Sequence, residues 1–230
     1  MSLYATGRTS GLILDSGDGV THAVPVYEGF ALPHAIVRID LAGRDITNNL
    51  NLLLRRSGYN FNSSAEKELV RQIKEKCCFV ASGKAVSSSS GGKIDDELTS
   101  GAAPAELQYQ LPDGSYVNLG KEAFLATEIL FRPDLICSEY RGVHDCVVKA
   151  ITKSDMTLRK TLYSQIVLSG GSTMFHGFGE RLLFEMRRHP LTPKESKIVI
   201  AAPPERLLTT WIGSVTPPYP PLSYPNPLRP

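Results

Sequence analysis

Residues 12–22 read LILDSGDGVTH. An aliphatic run ends on Asp15, two glycines flank Asp18, and a second run follows through His22. Aliphatic and β-branched residues on both sides of a glycine-rich turn predict two strands joined by a tight connection. The turn has two readings. Glycines let the backbone bend and bring N–H groups close to an anion, and Asp15 at the strand end is placed to hold a cation-bound water or orient an attacking one. Equally, Asp-Gly is the commonest hairpin signal and requires no ligand.

Further along, LSGGSTMF at 168–175 is a second strand-to-turn element. Gly170 and Gly171 allow close backbone approach to a ribose or adenine, and Ser172 and Thr173 are suited to cap the next helix; Gly-Gly is also common in ordinary loops. In RQIKEK at 71–76, Arg71, Lys74 and Glu75 have the reach for ribose hydroxyls or a base edge, although helix charges usually face solvent. Neither glycine turn matches the Gly-Lys-Ser/Thr phosphate loop or the Gly-x-Gly-x-x-Gly dinucleotide fingerprint. From these residues alone the reading is an α/β protein with a candidate phosphate site.

Strands and helices alternate along the chain. A third strand is expected in AIVRIDLAG, 35–43. Ile46, Leu50, Leu53 and Leu54 then fall on one helix face, with Asp45 as the expected N-cap and Gly58 as the stop. Ser63 and Glu66 form a capping box for a second helix, with Leu69, Ile73 and Cys77 along its inner face. The Pro112-Asp113-Gly114 turn predicts a hairpin. Residues 146–162 read as one helix, 166–169 as a buried strand, 179–189 as a helix and 196–205 as a final strand. This alternation indicates an α/β layered fold. Residues 1–213 form the folded unit, interrupted by a Ser/Gly-rich flexible loop at 81–104, and 214–230 form a proline-rich disordered tail.

A chain of 230 residues, 42% hydrophobic, is long enough to bury a core without disulfides. A net charge of +2 argues against a nucleic-acid binder with a basic face. The four cysteines lack zinc spacing and read as free thiols in a reducing compartment. With no apolar signal core and no run near the roughly 20 apolar residues of a membrane span, a cytosolic or nuclear protein is expected.

Five stretches, at 4–47, 65–81, 111–120, 166–182 and 202–213, together resemble the actin family, in family order, and the resemblance covers residues 2–213 apart from the Ser/Gly-rich loop. SLYATGRT, LFRPDL, KSDMTLRKTL, FHGFGERLL and Leu207 after PPER resemble its centractin branch, the actin-related subunits of the dynactin minifilament. EGFALPHAI, AGRDIT and IKEK look like conventional actin. The resemblance implies the actin-like ATPase (ribonuclease H-like) fold, in which ATP or ADP with Mg2+ or Ca2+ lies between two α/β halves, and this chain resembles the second half, subdomains 3 and 4.

Carried over residue by residue, the resemblance gives Gly17, Asp18, Gly19 and Val20 to the terminal phosphates. Asp15 goes to metal-bound water, His22 beside the attacking water and Gly43 to the ribose side. Arg71, Lys74 and Glu75 go to adenosine, and Gly170, Gly171, Ser172, Met174 and Phe175 to the wall around phosphate, ribose and base. Phe175 stands where actin has tyrosine, and Leu207 where conventional actin has lysine. The family's first phosphate loop and its water-positioning glutamine precede the first residue here, so weak or no hydrolysis by this chain alone is expected, against the slow ATPase of the intact family. The implied role is a subunit of actin-like filaments in the cytoplasmic cytoskeleton, linked to microtubule motors. Its implied partners are other actin-like subunits, dynactin components and actin-binding proteins. The alternatives are a conventional actin fragment, a truncated filament-interaction module that does not use nucleotide and, less favoured, a phosphotransferase of the same superfold.

Overall fold

The computed structural model describes residues 2–83 and 107–215. Most of the expected Ser/Gly-rich loop and proline-rich tail therefore lies outside the described residues. Of their ends, Ala81 is buried and residues 214–215 close the last helix.

A six-stranded mixed sheet organises the fold. Its strands are β1 (Gly11–Ser16), β2 (Thr21–Tyr27), β3 (Phe30–Ala31), β4 (Val37–Ile39), β7 (Ile166–Ser169) and β8 (Ile200–Ala201). β1 pairs antiparallel with β2, closing the expected hairpin at Ser16 and Thr21, and parallel with β7. β7 pairs parallel with β8, while β3 and β4 both pair with β2. The remaining strands, β5 (Leu107–Gln110) and β6 (Tyr116–Leu119), form a separate hairpin around the Pro112-Asp113-Gly114 turn.

The central strands alternate by face, as the strand period of two requires. Leu12, Leu14, Ile166 and Leu168 enter the main core, while Ile13 and Val167 join Leu3 and Val26 in a smaller cluster on the opposite side. With both faces covered, β1 through Leu14 and β7 through Leu168 read as continuous aliphatic runs rather than as amphipathic alternation. Each fully buried leucine contributes about 1.5–3 kcal/mol.

The helices whose bounds fall among the described residues are α1 (Ser2–Ala5), α2 (Gly43–Arg56), α3 (Ser64–Cys77), α4 (Glu122–Glu128), α5 (Val143–Lys153), α6 (Met156–Ser164), α7 (Phe178–Arg188) and α8 (Thr209–Val215). α5 packs on β1, β2 and β4, whereas α1 packs on α8. Asp45 is not the N-cap of α2. The helix begins two residues earlier at Gly43, Ala42 is the cap, and the Asp45 carboxylate accepts a hydrogen bond from the Ala42 amide at 2.9 Å. Gly58, at φ +94°, sits just past the C-terminus as expected. Glu66 accepts from the Ser63 amide at 2.7 Å, the glutamate half of the capping box. The buried face of α3 is Val70, Ile73 and Lys74 rather than a line through Leu69.

Residues 146–162 do not form one helix. The chain breaks at Ser154-Asp155, where Asp155 adopts a non-helical conformation and its carboxylate accepts from the Thr157 amide at 2.8 Å, capping α6. The final strand contracts to Ile200–Ala201.

A buried ion pair ties α4 to α7. Arg181 is 1% exposed, donates to Glu128 at 2.7 and 3.0 Å, to Glu185 at 2.7 Å and to the Ala81 carbonyl at 3.1 Å, and stacks on Phe131. No helix among the described residues is long and apolar enough to cross a membrane.

Candidate nucleotide site

The β1–β2 turn, residues 17–20, is built by local hydrogen bonding. The Gly17 amide donates to the Val20 carbonyl at 3.0 Å, while the amides of Asp18, Gly19 and Val20 donate to no group among the described residues. Three successive free N–H groups on a glycine turn are suited to an anion. The N-terminus of α2 abuts the turn: the Gly43 amide donates to the Gly17 carbonyl at 3.1 Å and the Arg44 amide to the Asp18 carbonyl at 2.7 Å. A 14-residue helix aimed this way adds a favourable dipole for negative charge.

Gly43 is a packing requirement. A Cβ there would meet Ser172 Oγ at 2.8 Å, the Gly17 carbonyl at 3.2 Å and Lys74 Nζ at 3.4 Å. Four segments converge at this point: the hairpin turn, α2, α3 and the turn after β7. Ser172 donates to the Gly17 carbonyl at 2.6 Å, and Lys74 donates to the Gly43 carbonyl at 3.0 Å.

A cavity of about 880 Å³ opens over this junction. Ten of the residues singled out in the sequence line it: Gly17, Asp18, Gly43, Arg71, Lys74, Glu75, Gly171, Ser172, Met174 and Phe175. Asp15, Gly19, Val20, His22 and Gly170 do not line it but lie beside it on the hairpin and at the end of β7. The sequence reading missed Lys76, Cys78 and His176, whereas Leu207, noted for its departure from actin, does line the wall. Cys78 follows α3 directly and could have been found by extending that helix one residue. His176 enters through an isolated bridge between its strand segment and Phe79, which no local pattern signals.

Lys74 is 6% exposed yet makes one hydrogen bond among the described residues, so its other N–H groups are available to the cavity it lines. Burial holds its ammonium below the usual lysine range, offset in part by Glu75 and Asp18. Arg71 is held by Glu68 and Glu75 at 2.6 and 2.9 Å, and its pKa is raised, chiefly by the hydrogen bond to Glu68. Burial pushes the Cys78 thiol up to about 12, so it is a protonated wall residue rather than a nucleophile. Phe175, 8% exposed, belongs to the core as well as to the wall, and Met174 is exposed beside it.

Asp15 faces His22 across the β1–β2 ladder and Ser169 across the β1–β7 ladder. Burial raises its carboxyl above the ordinary value, opposed by the charge of His22 and a hydrogen bond from Ser169. Among the described residues no group of three or more His, Cys, Asp or Glu side chains is arranged to hold a metal. A single carboxylate beside free amides fits a cation carried in on phosphate oxygens and waters, the usual mode for Mg2+.

A second cavity, of about 830 Å³, lies between residues 131–145 and the end of α7. Most of its charges are already spent on one another: Arg181 on Glu128 and Glu185, Arg132 on Asp134 and His189 on Asp145. It has less to offer a ligand than the first.

A family model described as Actin matches residues 1–216. An actin-like protein of Neurospora crassa is 53% identical over 216 residues, which are 93% of this chain and 54% of that relative. The chain thus spans about half the length of the curated relative it matches. The mixed sheet with glycine turns at its strand ends is the α/β architecture of the actin-like ATPase fold, and the chain belongs to the actin family.

Proposed function

We propose that this chain forms one wall of an adenine-nucleotide cleft in a cytoskeletal, filament-forming protein of the actin type, and within that family of the centractin branch. One observation carries the nucleotide reading: residues from four separate segments, each singled out in the sequence, line a single cavity beside three free amides. In this reading the amides of residues 18–20 receive phosphate oxygens, the dipole of α2 favours their negative charge, and Gly17 shapes the turn. Asp15 orients water on a nucleotide-borne Mg2+ or Ca2+, with His22 next to it. Arg71, Lys74 and Glu75 serve the ribose and base edge. Phe175 and Met174, with the close backbone approach at Gly171 and Ser172, wall in the base, and Gly170 seats that turn against β1.

Bound magnesium ATP supplies the phosphoanhydride and its charge. Transition-state charge on a terminal phosphate needs donors from both sides of a cleft, and each missing donor costs on the order of 3 kcal/mol. The 230-residue chain by itself therefore binds without appreciable turnover.

The centractin assignment rests on KSDMTLRKTL, LFRPDL and Leu207. It implies cytoplasmic filaments with other actin-like subunits, dynactin components and actin-binding proteins as partners. Calorimetric titration of MgADP into the chain tests the nucleotide reading. Binding that needs Mg2+ supports it, and the absence of both heat and displacement of a fluorescent adenine nucleotide at millimolar ligand overturns it. Co-sedimentation with filaments of intact centractin and of intact actin tests the branch. Equal or stronger association with actin would reject centractin.

A further inference from the structure

The Ser172 hydroxyl is committed before any ligand arrives. It is 6% exposed and donates to the Gly17 carbonyl at 2.6 Å, which also accepts the Gly43 amide at 3.1 Å. Gly17 is the residue where β1 leaves the sheet and the turn begins, so its carbonyl fixes the direction in which the next three amides point. The two bonds come from elements remote in sequence: α2 on one side and the turn after β7 on the other. Without Ser172 the turn would be tethered to α2 and its own hairpin but not to the base-side wall formed by Met174 and Phe175.

We propose that Ser172 is a positioning residue, which sets the anion-binding turn through Gly17 and thereby couples the base side of the cavity to its phosphate side. The proposal rests on the nucleotide reading for its ligand but not for its geometry. It predicts two separable effects. In the unliganded chain, loss of the hydroxyl loosens the turn, so the amides of Gly17, Gly43 and Arg44, all bonded within this junction, exchange faster. In the liganded chain, the loss falls on phosphate recognition and spares the nucleoside.

The test compares Ser172→Ala and Ser172→Thr in the full 230-residue chain. Amide hydrogen exchange is followed without ligand, and affinities are measured for MgADP and for adenosine. Ser172→Ala should raise exchange at those three amides by about three- to tenfold, the equivalent of one net hydrogen bond. It should weaken MgADP by a similar factor and leave adenosine unchanged, and Ser172→Thr, which keeps a hydroxyl, should restore both. Unchanged exchange in Ser172→Ala overturns the proposal, as does an equal loss of MgADP and adenosine affinity. If the wild-type chain binds neither ligand, the nucleotide reading fails and the exchange measurement alone decides whether Ser172 sets the turn.

Discussion

Adjacent glycines in the turn after β7 should respond very differently to one added methyl group. Gly170 has φ +88° and ψ 155°, a region open essentially to glycine alone. A Cβ there would press into the Ser16 carbonyl and come within 2.6 Å of Asp15 Oδ1, both on the neighbouring strand. Gly171 has an ordinary φ, and its Cβ would meet only Leu207 Cδ1, at 3.3 Å, on a side chain 61% exposed and free to move. For Gly170→Ala the backbone term costs about 1–3 kcal/mol and the overlap a further 1–3 kcal/mol or so. The total of roughly 2–6 kcal/mol is a large share of the 5–15 kcal/mol typical of a domain. Gly171→Ala should stay within about 1 kcal/mol of wild type. Urea unfolding reads both, and with a slope of about 3 kcal/mol/M the first variant should lose on the order of 1 M in midpoint. Because the Asp15 carboxylate must swing away, MgADP affinity should fall in the same variant. A loss below about 1 kcal/mol for Gly170→Ala, or equal losses for the two, would refute the packing argument.

Three further outcomes are expected from the electrostatics. The Asp15 pKa is raised by burial, so its ionised form opposes folding: that part of stability is present below the ordinary carboxylate value of 3.8 and lost as pH rises through the folded value. Asp15→Asn should therefore stabilise the unliganded chain at neutral pH, with the gain vanishing in acid, while weakening Mg2+-dependent nucleotide binding, as thermal melts and titrations would show. His144 is the opposite case. Burial depresses its pKa below 6.5, opposed by Asp145 and Glu185 and helped by His189 and Arg181, so stability is present above that value and lost as pH falls through the folded one, and His144→Gln should flatten the acid side of the melting profile. Glu128→Ala should cost about 3 kcal/mol, the lower end for a broken buried pair because Glu185 remains on Arg181, and Glu128→Leu with Arg181→Met should recover most of it in urea titrations.

Local chemistry was legible wherever the chain decides its own conformation. The β1–β2 hairpin, the apolar stripe Ile46-Leu50-Leu54, the Pro112-Asp113-Gly114 turn and the Glu66 cap all rest on neighbours within a few residues. Misreadings arose where short-range alternatives compete. Asp45 is a good N-cap by type but serves better at the third helical position, reaching back to Ala42. Asp155 sits inside a helical pattern and breaks it by capping α6. Arg181 and Glu185 have the spacing of a solvated surface pair, and only the approach of Glu128 makes the guanidinium a core group. The site followed the same division. Its glycine turns and the α3 charges were visible, but their meeting in one cavity depends on which strands adjoin, and His176 and the Ser172–Gly17 bond arise only from that assembly.

The parallel pairing of β1 with β7 joins residues about 150 positions apart, Leu14 opposite Leu168. Closing so long a loop is entropically unfavourable until other contacts have shortened it. The β1–β2 pairing is local and needs no such loop closure, so the two strands that flank the turn can meet as soon as both have left the ribosome. Its partner wall arrives only after more than a hundred further residues have been made. During synthesis the chain passes through an interval in which the edge of β1 that β7 will cover is bare, with the backbone groups and alternating aliphatic side chains of a sticky strand edge. The order of translation thus makes completion of the cavity and protection of that edge a single late event.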